Sequence, residues 1–171
     1  MARIELELNG TECSLDNIAK KAGVGSATLY RHFATREDLL SELLLSWVDE
    51  VRRDADATTA DDWDDVLDWL ARLADHAMTY RGLARTMAET EGDESSPLRT
   101  AHAAVLLANA QVFDRAHAAG VVARPVDTEE ISRLVTGVAM IAEQSQLDST
   151  QSRALLAIIL NGLTIPPHGQ G

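Results

Sequence analysis

Cysteine is almost missing: Cys13 is the only one in the chain of 171 residues. An internal disulfide is therefore excluded, and the usage fits a reducing compartment. Cys13 reads as a small core residue rather than a redox sensor. Aromatic residues make up 4% of the chain while Ala and Leu abound, a balance that favours helices over sheets. No run of about eighteen apolar residues occurs, so no membrane-spanning helix is expected. At the start, Ile4, Leu6 and Leu8 alternate with Glu5 and Glu7, and no apolar core of a secretory signal follows. The expectation is a cytoplasmic protein without membrane contact. G-x-S-x-G, P-loop and G-x-G-x-x-G patterns are missing, as is metal-ligand spacing of His, Cys, Asp and Glu. An enzyme, a bound cofactor and a metal site are accordingly not expected.

What is present is a chain with 46% hydrophobic residues, enough for a real core, and a net charge of −12. Such a charge argues at first against nucleic acid as a partner. Its distribution matters more. Residues 1–53 hold seven Lys/Arg against nine Asp/Glu, a net −2; residues 54–171 hold eight against eighteen, a net −10. The only two lysines, Lys20 and Lys21, both fall in the first part. A near-neutral head on an acidic body can bind DNA through oriented contacts rather than bulk charge.

Residues 1–9 are ambiguous between strand and helix, and Gly10 ends them. From Ser14 the pattern sharpens: Leu15, Ile18, Ala19 and Ala22 fall at i, i+3, i+4 and i+7, with Ser14 as N-cap and Gly23 as stop. A short helix from about Ser26 to Phe33 follows. Thr35 then caps a longer one, with Asp38 at its third position, running to about Arg53. DADATTADD (54–62) reads as a polar connection. Helices are expected from Trp63 to near Gly82, up to about Glu91, from Leu98 to Ala119 with Pro97 at its start, from a Thr128 cap to about Ser145, and from Ser149 or Thr150 to near Gly162. IPPHGQG is a tail.

Two short helices joined around a glycine make a helix-turn-helix, whose second helix leaves its outer face free for a major groove. With Leu29 pointing inward, a step of about 100° per residue turns Ser26 and Phe33 inward as well. Ala27 and Arg31 then point out, Thr28 and Tyr30 lie on the flanks, and His32 sits at the edge. Arg31 can fork to a guanine or clamp a phosphate, while Ala27 and Thr28 can touch a thymine methyl. Tyr30, His32 and Arg36 suit phosphate oxygens.

The string SLDNIAKKAGVGSATLYRHFATREDLL closely resembles the DNA-binding domain of TetR/AcrR-family transcriptional regulators, through Ile18, Ala19, Ala22, Gly23, Val24, Thr28, Leu29, Tyr30, His32, Phe33, Glu37 and Leu39. The resemblance covers about residues 10–45. It implies repression by a dimer on a near-palindromic operator, released when a small molecule enters the larger domain. It also implies phosphate contacts from Tyr30, His32 and Arg36 and a DNA contact from Thr28. The stretch AHAAGVVARPVDTEEISRLVTGVA resembles an actinobacterial type of the larger domain. The chain departs from the family in two places. Gly25 and Ala27 stand where Ser or Thr and then Gly are usual, so Ser26 is expected to take over the cap of the recognition helix. Only nine residues precede Gly10, fewer than the family's first helix normally has, and DNA binding is expected to be limited by that.

The expected architecture is all-α: a DNA-binding head over 1–46, an effector and dimerisation domain over 47–165, and a tail over 166–171. Candidate effector contacts are Trp69, His76, Met78, Met87, His102 and Leu106, although such residues at helical spacing are more often ordinary core. The last two helices carry candidate dimer contacts at Ile131, Leu134, Val135, Val138, Leu155, Leu156 and Ile159. LLAIIL is apolar nearly all round and needs cover on both sides, from a partner subunit or from within the monomer. The sequence therefore points to a homodimeric regulator of double-stranded DNA answering to a small molecule. The alternative is a dimeric sensor of the same fold with weakened DNA binding.

Overall fold

The computed structural model describes residues 14–80, 82–96, 98–122 and 126–160, apart from the side chains of Lys21, Ala22 and Arg36. The expectations for the first nine residues, Cys13, Pro97 and the tail lie outside the described residues. Those that remain form eight helices: α1 Leu15–Ala22, α2 Ser26–His32, α3 Arg36–Ala57, α4 Trp63–Met78, α5 Leu83–Glu89, α6 Arg99–Ala118, α7 Thr128–Ser145 and α8 Ser149–Leu160.

Local chemistry accounts for most boundaries. Ser14 Oγ accepts the N–H of Asn17 at 3.2 Å to open α1. Gly23 closes it at φ 70°, a left-handed conformation that a side chain resists. The cap of α2 differs from expectation. Gly25 is the N-cap and makes no side-chain bond; its carbonyl accepts from Thr28 and Leu29, and Ser26 is already the first helical residue. Thr35 and Asp38 form a reciprocal capping box at the start of α3, with bonds of 3.0 and 2.9 Å.

That helix runs four residues beyond Arg53, into a segment that reads as a polar connection. Tertiary contacts hold the extra turn. Ala55 is fully buried, and Asp54 meets His76 Nε2 at 2.7 Å. Thr58 then ends α3 by donating its hydroxyl to the Asp54 carbonyl at 2.8 Å. Likewise α7 is capped by Asp127, not Thr128: the carboxylate accepts from the backbone of Glu129 and Glu130.

The first two helices and the start of α3 share a small core of Leu15, Ile18, Leu39 and Leu40, with Leu29 and Phe33 packed against it. Helix α3 then leaves the head and lies along α6, while α4 sits centrally against α7 and α8. Trp69, Leu70, Leu83, Val112 and Leu156 are sealed from solvent in the body. Because α3 contributes Leu39 to the head core and Trp47 to the body core, the two parts share one continuous helix.

Candidate functional site

The seven residues of α2 contain no acidic side chain, and Arg31 and His32 occupy its last turn, where cations suit the helix dipole. Leu29, Phe33 and Ser26 are half-buried toward α1 and α3; Ala27, Thr28, Tyr30, Arg31 and His32 are exposed. A helix with its polar donors outward and its apolar residues inward is what a groove-reading element requires. Arg31 lies back along α2, its Nε donating to the Ala27 carbonyl at 3.2 Å and one terminal nitrogen to Thr28 Oγ1 at 3.4 Å. These long, solvated bonds are easily exchanged for a base edge. The guanidinium thereby already lies toward the N-terminal end of the helix. Position 36 opens α3 directly after the turn, and the Arg36 side chain lies outside the described residues.

In the body, a cavity of about 200 Å³ opens between α5, α6 and α7. Of the six candidate effector contacts, Met87, His102 and Leu106 line it. The other three do not. Trp69 is buried and donates its indole N–H to Asn109 Oδ1 at 2.9 Å. His76 is tied to Asp54, and its carbonyl accepts from Trp47 Nε1 at 2.9 Å. Met78 packs half-buried against the main core. A polar chain crosses this interior, because Asn109 passes from Trp69 to Ser132 Oγ at 2.8 Å, and Ser132 lines the cavity.

Sequence reasoning missed the polar wall formed by Glu129, Ser132, Arg133 and Thr136 of α7. Their i, i+3, i+4, i+7 spacing was the available signal, a second face beside the apolar stripe. Arg133 Nε meets Glu91 Oε1 at 2.9 Å, and a terminal nitrogen meets Glu129 Oε2 at 3.1 Å. Glu91 above all, then Glu129, holds the guanidinium charged more firmly than usual. Burial pushes the His102 imidazole below its ordinary pKa, with Glu91 opposing. Beside this cavity a void of about 30 Å³ is lined by Trp47, Leu73 and Leu83, and it shares Met87, Val105, Ser132 and Thr136 with the larger one.

The candidate dimer contacts divide. Ile131, Val135, Val138 and Leu156 are buried in the chain's own core, each at most 2% exposed. They point inward because α7 and α8 both rest on α4, and they offer no surface to a partner. Leu155 is half-buried, while Leu134 and Ile159 are 38% and 47% exposed. Ile141 at 53% and Ile158 at 75% extend that outer surface.

A short outward-facing helix crossed by a second, on a head joined through one long helix to a hollow body, places the molecule among helix-turn-helix regulators of transcription. The comparisons narrow the class. Residues 2–43 match the tetR family of bacterial regulatory proteins, and residues 64–165 match the SbtR-like C-terminal domain of transcriptional regulators. The chain belongs to the TetR family of DNA-binding transcriptional regulators. A TetR-family regulator from Pectobacterium atrosepticum is similar in fold, with a TM-score of 0.63 and 19% identity over 98% of this chain and 92% of that one. No curated protein matches the chain. Among the described residues, no helix is long and apolar enough to cross a membrane.

Proposed function

We propose that the protein is a homodimeric repressor that sits on a palindromic operator and leaves it when a small molecule fills the body cavity. The observation that carries this reading is the Arg36–Ala57 helix. It starts beside the recognition helix, and its Trp47 lines the small void that shares Met87, Val105, Ser132 and Thr136 with the cavity, so a ligand there bears on an element of the head. Arg31 reads a base, and Ala27 and Thr28 contact the floor or wall of the groove. Tyr30, His32 and Arg36 hold phosphates, and Ser26 opens the recognition helix at the DNA-facing end of the turn. Dimerisation through the outer faces of α7 and α8 supports a two-fold operator, since one head covers one half-site. With DNA as partner, the protein works in the cytoplasm.

Selection of bound sequences from random duplexes tests the reading. The expected result is an inverted repeat whose binding falls steeply with salt. Recovery of no preferred sequence, or of a lone half-site bound by a monomer, would overturn it.

A further inference from the structure

The cavity carries information about charge as well as size. Two acidic side chains, Glu91 and Glu129, and one basic side chain, Arg133, line it. Arg133 already spends its Nε on Glu91 and a terminal nitrogen on Glu129. Among the described residues Glu91 Oε2 and Glu129 Oε1 have no bond of their own. The wall therefore has one negative charge in excess, with acceptor capacity to spare.

The fourth titratable group is His102, and its hydrogen bond fixes its tautomer. Thr90 donates its hydroxyl proton to the Thr86 carbonyl at 2.8 Å. Its oxygen, 3.0 Å from His102 Nε2, must then accept from the ring. The proton is on Nε2, which leaves Nδ1 as a bare acceptor. Burial keeps the imidazole neutral near pH 7, so it adds no positive charge.

Ser132 and Thr136 add two hydroxyls, and the apolar part of the wall comes from Met87, Val105 and Leu106. Its volume of about 200 Å³ is somewhat larger than the roughly 150 Å³ that admits a benzene ring. A single ring or a short branched chain with a small polar arm fits. A carboxylate or phosphate could reach the one terminal nitrogen of Arg133 that neither glutamate holds, but it would then lie beside two carboxylates whose combined charge outweighs that of the guanidinium. A protonated amine would instead meet the spare carboxylate oxygens and leave both existing pairs in place.

Building on the effector reading above, we propose that this cavity takes a small organic cation: a compact apolar body carrying one protonated amine.

Three probes of nearly equal shape decide the matter: 2-phenylethylamine, 2-phenylethanol and phenylacetate, titrated calorimetrically into the full chain without DNA at neutral pH. The amine should bind about tenfold or more tighter than phenylacetate, the alcohol falling between them. Glu91→Gln and Glu129→Gln keep the shape and a carbonyl acceptor for Arg133, and each should erode that preference. Equal or tighter binding of phenylacetate would overturn the proposal, as would failure of all three to bind, or an amine affinity that neither substitution changes. Release of an operator duplex is measured separately. An amine that binds with the stated preference but leaves DNA bound supports the cation site and counts against ligand-driven release.

Discussion

Ile158 offers the sharpest test of the dimer, because it is 75% exposed in the apolar second half of α8. Full burial of an isoleucine side chain contributes about 1.5–3 kcal/mol, so covering three-quarters of it contributes roughly 1–2 kcal/mol. A two-fold interface repeats every contact, which doubles that figure to about 2–4 kcal/mol. Ile158→Asp forfeits this and adds two carboxylates to an apolar seam, at a cost of at least about 2 kcal/mol each. The sum exceeds roughly 5 kcal/mol, a weakening of the dimer by more than about a thousandfold. In a lone chain the same change touches only solvent. Stability should then shift by less than about 1 kcal/mol, mostly from an acid near a helix C-terminus. Sedimentation equilibrium over a wide concentration range separates the cases when run beside thermal unfolding. The expected outcome is a folded monomer that has lost operator binding. Leu156→Asp is the contrast, since Leu156 is fully buried in its own chain and its replacement should unfold the protein. A variant at Ile158 that dimerises as tightly as the parent, or a parent that is monomeric throughout, would refute the reasoning.

Three further outcomes are expected. Arg31→Ala should weaken operator binding by roughly 1–3 kcal/mol and relax preference at one position per half-site, whereas Tyr30→Phe should weaken all duplexes alike; equal, sequence-independent losses in a gel-shift series would contradict the division of roles. Asn109→Ala leaves the buried Trp69 indole N–H without its acceptor, which should cost about 1–3 kcal/mol in urea unfolding, and a neutral result would deny the polar chain any structural weight. Because burial lowers the His102 pKa from its ordinary 6.5, the unfolded chain takes up the proton first as pH falls, so stability declines from about that pH downward. His102→Gln should flatten this decline in melting temperatures taken from about pH 8 to 5, and an unchanged slope would exclude His102 as its source.

Helix positions and the recognition face were legible because they rest on local rules. Ser14, Gly23, Thr35 and Asp38 act within a few residues of where they stand, and the inward direction of Leu29 and Phe33 follows from helix period alone. The extra turn of α3 was not legible. DADA reads as a polar linker until Asp54 meets His76 and Ala55 enters the core, and both partners lie far along the chain. The same limit explains the effector candidates. Trp69, His76 and Met87 share a hydrophobic or mixed character, yet only packing decides which of them faces a void. For the last helices, apolar residues all round signalled two covered faces but not which residues served which. The helix on which α7 and α8 rest turns Ile131 and Leu156 inward and leaves Leu134 and Ile158 outside.

The chain has three tryptophans, and their placement has a practical consequence. Trp47 touches the smaller void directly. Trp69 reaches the larger cavity through Asn109 and the Ser132 hydroxyl. Trp63 stands apart at the start of α4. An indole whose N–H is held in a hydrogen bond fluoresces at a wavelength set by the polarity around it. Occupancy of the cavity should therefore be readable by eye of the spectrometer alone, with no label attached. Replacing Trp63 by phenylalanine would remove the uninformative background and turn the protein into its own optical gauge, with Trp47 sensing shape and Trp69 sensing hydrogen bonding.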